Sequence, residues 1–76
     1  MLVIRGDSMI KLRILYNYEK KRWELYHQDV DIEIASNHNI YDLIITADLI
    51  AKLIKPAQVV FVPQSLPKEI VINEYV

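Results

Sequence analysis

Acidic side chains alternate with apolar ones near residue 30, and they are of the types that bind divalent metal ions. The residues spaced by two are His27, Asp29, Asp31 and Glu33. A regular strand would place them on one face, and carboxylates with histidine would suit the metal of a nuclease. Neighbours at this spacing stand roughly 6–7 Å apart, so one ion would reach two of them at most. A solvated strand face explains the same alternation, so we predict no bound metal and keep a metal-dependent nuclease with Asp29, Asp31 and Glu33 as the second alternative function.

A basic segment beside aromatic residues is the second feature that could carry chemistry. The candidate residues are Lys11, Arg13, Lys20, Lys21, Arg22 and Trp23. Basic groups contact phosphates and aromatic rings stack on bases, so this set makes nucleic-acid binding an alternative function. The same pattern is typical of a charged hairpin end that keeps a sheet edge soluble, with the tryptophan in the core. We favour this second interpretation, because the formal net charge of the chain is only −1.

Nucleophilic catalysis finds little support in the chain. His38 follows Ser36 closely, but no triad or nucleophile-elbow motif surrounds either residue. There is no Cys, which excludes a disulfide framework, a thiolate zinc site and a Cys nucleophile. The single Gly excludes every Gly-rich phosphate loop. We therefore predict no catalytic residue and no cofactor, and we expect that the protein is not an enzyme.

Strands are predicted in the first half of the chain. Residues 9–18 alternate between apolar and polar positions, which indicates a half-buried strand. A charged turn separates it from a second strand over 23–26, and residues 2–5 are a candidate for an earlier short strand. The apolar phase then shifts, so we expect a bend near 27–29 and a third strand at about 30–35, with Val30, Ile32 and Ile34 inward.

A helix over residues 39–55 is predicted from an apolar face at helical spacing. Asn39 is a suitable N-cap, Asp48 and Lys52 are spaced for an i,i+4 ion pair, and Pro56 ends the helix. Short apolar segments at 59–62 and 70–76 predict two further strands. The 76 residues therefore form one domain of the α+β class, in the order (β)βββαββ. A mostly antiparallel sheet of four to five strands would carry the helix on one face.

The predicted helix has more apolar surface than one sheet can cover. Ile45, Leu49 and Leu53 form a second stripe outside the main apolar face. In so small a domain we expect another chain to cover this stripe; the alternative cover is the terminal strands or the loop at 63–69. The last strand, with Ile70 and Ile72, also has an edge that a partner strand can join. The leading hypothesis is a protein–protein interaction module. It would form homo-oligomers or cap a small protein partner.

Composition limits the class of protein and its compartment. Hydrophobic residues make up 53% of the chain and charged residues 25%, which is too apolar for a disordered chain. The first residues have neither a basic segment nor a long apolar segment, as a signal peptide would. No apolar run approaches the roughly 20 residues that span a bilayer. We expect a soluble cytoplasmic protein that does not bind membranes.

The order of these elements resembles that of the small HicB-like antitoxin domain. The matching stretch is about 10–54, with an alternating strand, a hairpin around Tyr18-Glu19 and Trp23, further strands and a helix. The resemblance implies a partial RNase H-like fold without catalytic activity. It also implies that the protein binds and blocks a small ribonuclease toxin. The resemblance lies in element order and transfers no site residues to this chain.

Overall fold

Five strands and one helix follow one another in the order βββαββ in the computed structural model, which describes residues 9–28, 30–63 and 68–76. The elements are β1 (Ile10–Asn17), β2 (Arg22–His27), β3 (Glu33–Asn37), α1 (Ile40–Ile54), β4 (Ala57–Phe61) and β5 (Ile70–Tyr75). The helix packs on one face of a five-stranded, mostly antiparallel sheet, which confirms the predicted α+β class. The predicted strand at 2–5 lies outside the described residues.

The sheet has the strand order β3-β2-β1-β4-β5. Neighbouring strands are antiparallel except β1 and β4, which run parallel. Parallel neighbours cannot be joined by a tight turn, and here the chain returns to the middle of the sheet through β2, β3 and α1. The helix therefore follows β3 and precedes β4 in the chain. One of its sides packs on the strands and the other side faces outward.

The hydrophobic core lies between α1 and the sheet. Side chains alternate along each strand, so one set faces the helix. On α1, Leu43, Ala47 and Ala51 pack against this set. The fully buried residues there are Leu12, Ile14, Leu25, Leu43, Ala47, Ala51, Ala57 and Val59. The alanines among them allow the helix to approach the strands closely, which strengthens dispersion contacts.

Both ends of α1 agree with the predicted helix to within a residue. Asn39 has an extended backbone, and its side-chain oxygen accepts a hydrogen bond from the backbone N–H of Tyr41 at 2.8 Å. The last helical residue is Ile54, two residues before Pro56. In the part of the chain that the structure describes, no helix is long and apolar enough to cross a membrane.

The predicted ion pair between Asp48 and Lys52 is wrong, because both side chains reach to β5 instead. The Asp48 carboxylate accepts hydrogen bonds from the Asn73 amide at 3.0 and 3.2 Å. The Lys52 ammonium lies 5.7 Å from the centre of the Tyr75 ring. These contacts attach the edge strand β5 to the helix.

The third strand begins later than predicted. Strand β3 starts at Glu33, and Ile34 is the extra residue of a bulge, because Leu25 pairs with Ala35 and Tyr26 with Glu33. Because of the bulge, Ala35 rather than Ile34 points to the helix side of the sheet, where it packs on the core. Val30, Ile32 and Ile34 were expected to face inward and are exposed.

Candidate interaction surface

One side of α1 is exposed along its full length. Its exposed residues are Tyr41, Asp42, Ile45, Leu49, Lys52 and Leu53, which we call the outward face. A helix turns by about 100° per residue, so these residues lie on the side opposite the buried Leu43, Ala47 and Ala51. The stripe predicted from the sequence is therefore not covered by the described part of the chain.

Large apolar side chains dominate the outward face. The exposed fraction is 73% for Tyr41, 58% for Ile45, 58% for Leu49 and 85% for Leu53. Residues four apart lie above one another on a helix, so these side chains form a line roughly 18 Å long. A line of this kind is unlike scattered surface leucines and is typical of an interaction site. Tyr41 extends the predicted stripe by one turn, and its i,i+4 spacing from Ile45 was the signal for it.

The sheet edges carry further exposed apolar residues. On β5, Ile70 and Val71 are about half exposed, and Val76 follows the strand. Ile72 was predicted to belong to this surface, but it packs on the core. It is the extra residue of a bulge, because Val59 pairs with Asn73 and Val60 pairs with Val71. The exposed apolar surface of β5 therefore consists of Ile70 and Val71.

A buried carboxylate lies on the sheet face opposite the helix. Trp23 and Leu25 point to the core, so Glu24 between them points away, and yet only 1% of its surface is exposed. One carboxylate oxygen accepts from the Arg22 Nε at 3.0 Å and the Asn17 amide at 3.1 Å. The other accepts from the Tyr26 hydroxyl at 2.7 Å. Three donors thus satisfy a charge that would be costly to bury alone.

Titration behaviour in this cluster follows from the same contacts. Burial alone would raise the pKa of Glu24, but hydrogen bonds from Tyr26, Arg22 and Asn17 outweigh it and lower the pKa to about 2. The hydrogen bond to Glu24 and burial raise the pKa of Tyr26 to about 12. Arg22 also donates to Glu33 at 2.7 Å. With so low a pKa, the Glu24 carboxylate is ionised at neutral pH and is held in that state by its three donors.

The face of the sheet opposite the helix carries three of the residues considered for nucleic-acid binding, Lys11, Arg13 and Arg22, because each alternates with residues that point to the core. Lys11 pairs with Glu69 at 2.7 Å, and Arg22 is held by two carboxylates, so the charge of each is compensated. Trp23 lies on the helix side of the sheet, in ring contact with Tyr16 and Phe61. Lys20 and Lys21 lie in the β1–β2 turn, next to Arg22 in the sequence, and Arg13 lies on β1.

Neither a metal site at His27, Asp29, Asp31 and Glu33 nor a catalytic role for His38 was predicted from the sequence, although both were considered. Glu33 binds Arg22, Asp29 lies outside the described residues, and His27 ends β2. Among the residues that the structure describes, no three His, Cys, Asp or Glu side chains come close enough to hold a metal ion. The Nδ1 of His38 lies 3.0 Å from the Lys21 carbonyl oxygen and donates to it, which joins two loops.

Comparisons with protein-family models, with curated proteins and with solved structures found no match for this chain. The outward face of α1 is the described feature that most clearly points to a function.

Proposed function

We propose that this protein is a non-enzymatic, self-associating protein–protein interaction module whose contact surface is the outward face of α1. The observation that carries the proposal is the line of Tyr41, Ile45, Leu49 and Leu53, each more than half exposed. Transfer of such side chains from water contributes roughly 1–2 kcal/mol each. In a dimer formed through the same face, each of these side chains is buried in both copies, so its contribution counts two times.

The polar groups of the domain support a structural rather than a catalytic role. The Glu24 carboxylate is satisfied by three donors within the sheet, and Arg22 is shared between Glu24 and Glu33. Catalytic groups need a free lone pair or a proton that a substrate can reach. The exposed surface of the helix is instead mostly apolar, as at the centre of a protein interface.

Solution mass tests this proposal directly. The wild-type chain, of 9.0 kDa, is expected to sediment as a dimer or larger at high micromolar concentration. Leu49→Asp places a charge in the middle of the outward face and is expected to give the monomer mass. Lys20→Asp is the matched control, because Lys20 is exposed in the β1–β2 turn, and it should leave the assembly unchanged.

Circular dichroism and thermal melting of the same samples keep the test interpretable. Leu49 is exposed in the single chain, so the variant should keep the fold of the monomer. A wild-type chain that remains a monomer at several hundred micromolar contradicts the proposal. An assembled Leu49→Asp variant that has merely lost stability contradicts it as well, because assembly would then not depend on the outward face.

A partner-capping, antitoxin-like protein is the second candidate. The described order of hairpin, third strand, helix and fourth strand is the order on which the HicB-like resemblance depends, and it supports this candidate. A capping protein would present the outward face to a different polypeptide and would be a monomer when pure. The mass of the purified chain therefore distinguishes the two candidates.

A further inference from the structure

The exposed residues of α1 have a symmetry that the fold does not require. Each one has a counterpart at the same distance from Ala47 on the other side of it. The counterparts are Tyr41 and Leu53, Asp42 and Lys52, and Ile45 and Leu49. Apolar residues are matched with apolar residues, and the acid is matched with the base. A surface with this pattern is complementary to itself when it is turned end for end.

We propose that the outward face binds the outward face of a second copy, with the two helices antiparallel and a two-fold axis at the level of Ala47. This inference rests on the proposed function and specifies its occupant and geometry. The two-fold axis places Ile45 of each copy level with Leu49 of the other, at the centre of the contact. Tyr41 and Leu53 then lie level with each other at both ends.

The charges on the face select the antiparallel arrangement. Asp42 lies in the first turn of α1 and Lys52 in the last turn. Antiparallel helices bring the acid of each copy level with the base of the other. Lys52 is exposed, and on association its side chain would turn from the Tyr75 ring of its own chain towards Asp42 of the second copy. Parallel helices would bring acid beside acid and base beside base. The helix dipoles favour the same choice, because opposite ends are adjacent in the antiparallel pair.

A second copy fits these observations better than an unrelated partner does. An interface with a different protein has no reason to be symmetric about one residue, whereas a two-fold homodimer contact must be self-complementary. The contact area is small, because α1 has 15 residues and is roughly 22 Å long. In so small an interface two opposite-charge contacts are a measurable part of the affinity.

Charge exchange between copies provides the experiment. Asp42→Lys and Lys52→Asp are made as separate proteins, one of them isotopically labelled, and mixed in equal amounts. Each variant alone has like charges at both contacts and should dissociate about tenfold more readily than wild type. The mixture has opposite charges at both contacts. Native mass spectrometry should therefore show mainly mixed dimers, with an affinity near that of wild type.

A chain that carries both substitutions is the control for effects within one helix. It has the same unfavourable charges at the helix ends as the single variants, but its homodimer regains opposite charges at both contacts. It should associate nearly as wild type does. The preference for mixed dimers should also fade at about 1 M salt, where exposed charges are screened and apolar contacts persist.

The possible failures are distinct. A wild-type monomer at high concentration overturns both the proposed function and this inference. A dimer that Leu49→Asp dissociates, but whose charge variants mix at random, overturns the antiparallel geometry and leaves the proposed function standing. Single variants that associate as tightly as wild type also overturn the antiparallel geometry, provided that thermal melting shows them to be folded.

Discussion

Glu24 shows how a strand can hold a charge almost entirely out of water. Alternation along β2 puts it on the sheet face opposite the helix, and its neighbours on β1 and β2 all present donors to it. Breaking such a cluster at one member leaves the remaining groups buried without partners. The carboxylate is therefore a structural requirement of the β1–β2 hairpin.

Glu24→Gln should destabilise the fold, and the loss should depend on pH. The folded pKa of Glu24 is about 2, against an ordinary value of 4.5. A lowered folded pKa stabilises the ionised state, so this contribution is complete above about pH 4.5 and is lost as the pH falls towards 2. Urea unfolding should show a loss of about 1–3 kcal/mol at neutral pH. The difference from wild type should narrow on acidification.

Glu74→Gln is the control for this measurement, because Glu74 is exposed on β5. Its free energy of unfolding should stay within about 0.5 kcal/mol of wild type. A Glu24→Gln variant whose deficit is the same at neutral pH and at about pH 2 would show that the carboxylate charge does not stabilise the sheet.

The buried cluster lay beyond what the sequence could predict, although its alternation was visible. Period two places Arg22 and Glu24 on the face opposite Trp23 and Leu25, but it gives no sign that Glu24 is buried there. Periodicity reports which side chains share a face, but it does not report how completely long polar neighbours cover one another.

The β1–β2 hairpin is closed without a glycine. Lys21 adopts a φ of 55°, a left-handed conformation that is unfavourable for a residue with a Cβ atom. The Asn17 side-chain oxygen accepts from the backbone N–H groups of Glu19 and Lys20, each at 3.0 Å. These bonds, together with that from His38 to the Lys21 carbonyl, hold the turn in place.

Lys21→Gly is expected to stabilise the hairpin. Glycine takes positive φ at no steric cost, and this gain exceeds its greater entropy in the unfolded chain, so unfolding should require about 0.5–1 kcal/mol more. Lys20→Gly is the matched control, because Lys20 has no positive φ, and it should destabilise slightly. Chemical denaturation of both variants measures the difference. Equal losses in the two variants would show that the turn conformation carries no strain that glycine relieves.

The presence of each helix and strand was easier to predict from the sequence than which strands lie next to each other in the sheet. The helix was confirmed because seven apolar positions share one period, and β1 because its alternation is long. The third strand was placed too early because a bulge at Ile34 breaks the period on which the prediction relied. The parallel pairing of β1 with β4 had no local signal, since it joins strands that are far apart in the chain.

At the scale of the whole molecule, the small size of the chain limits how much apolar surface the fold can bury. A chain of 76 residues buries roughly 60–65% of the surface that its unfolded form exposes. One helix on one sheet gives such a chain a single core, and the described helix leaves a line of large side chains outside it. A second copy would enlarge the buried apolar surface without lengthening the chain.

The melting temperature of the wild-type protein should therefore rise with protein concentration. A dimer that forms only from folded chains gains about 1.4 kcal/mol per tenfold increase in concentration, by mass action. Leu49→Asp removes the association, so its melting temperature should be independent of concentration and should match the dilute limit of wild type. Differential scanning calorimetry over a hundredfold range provides the comparison. A wild-type melting temperature that does not change over this range would mean that the chains do not associate through the outward face. The core between α1 and the sheet would then be sufficient to stabilise the single chain.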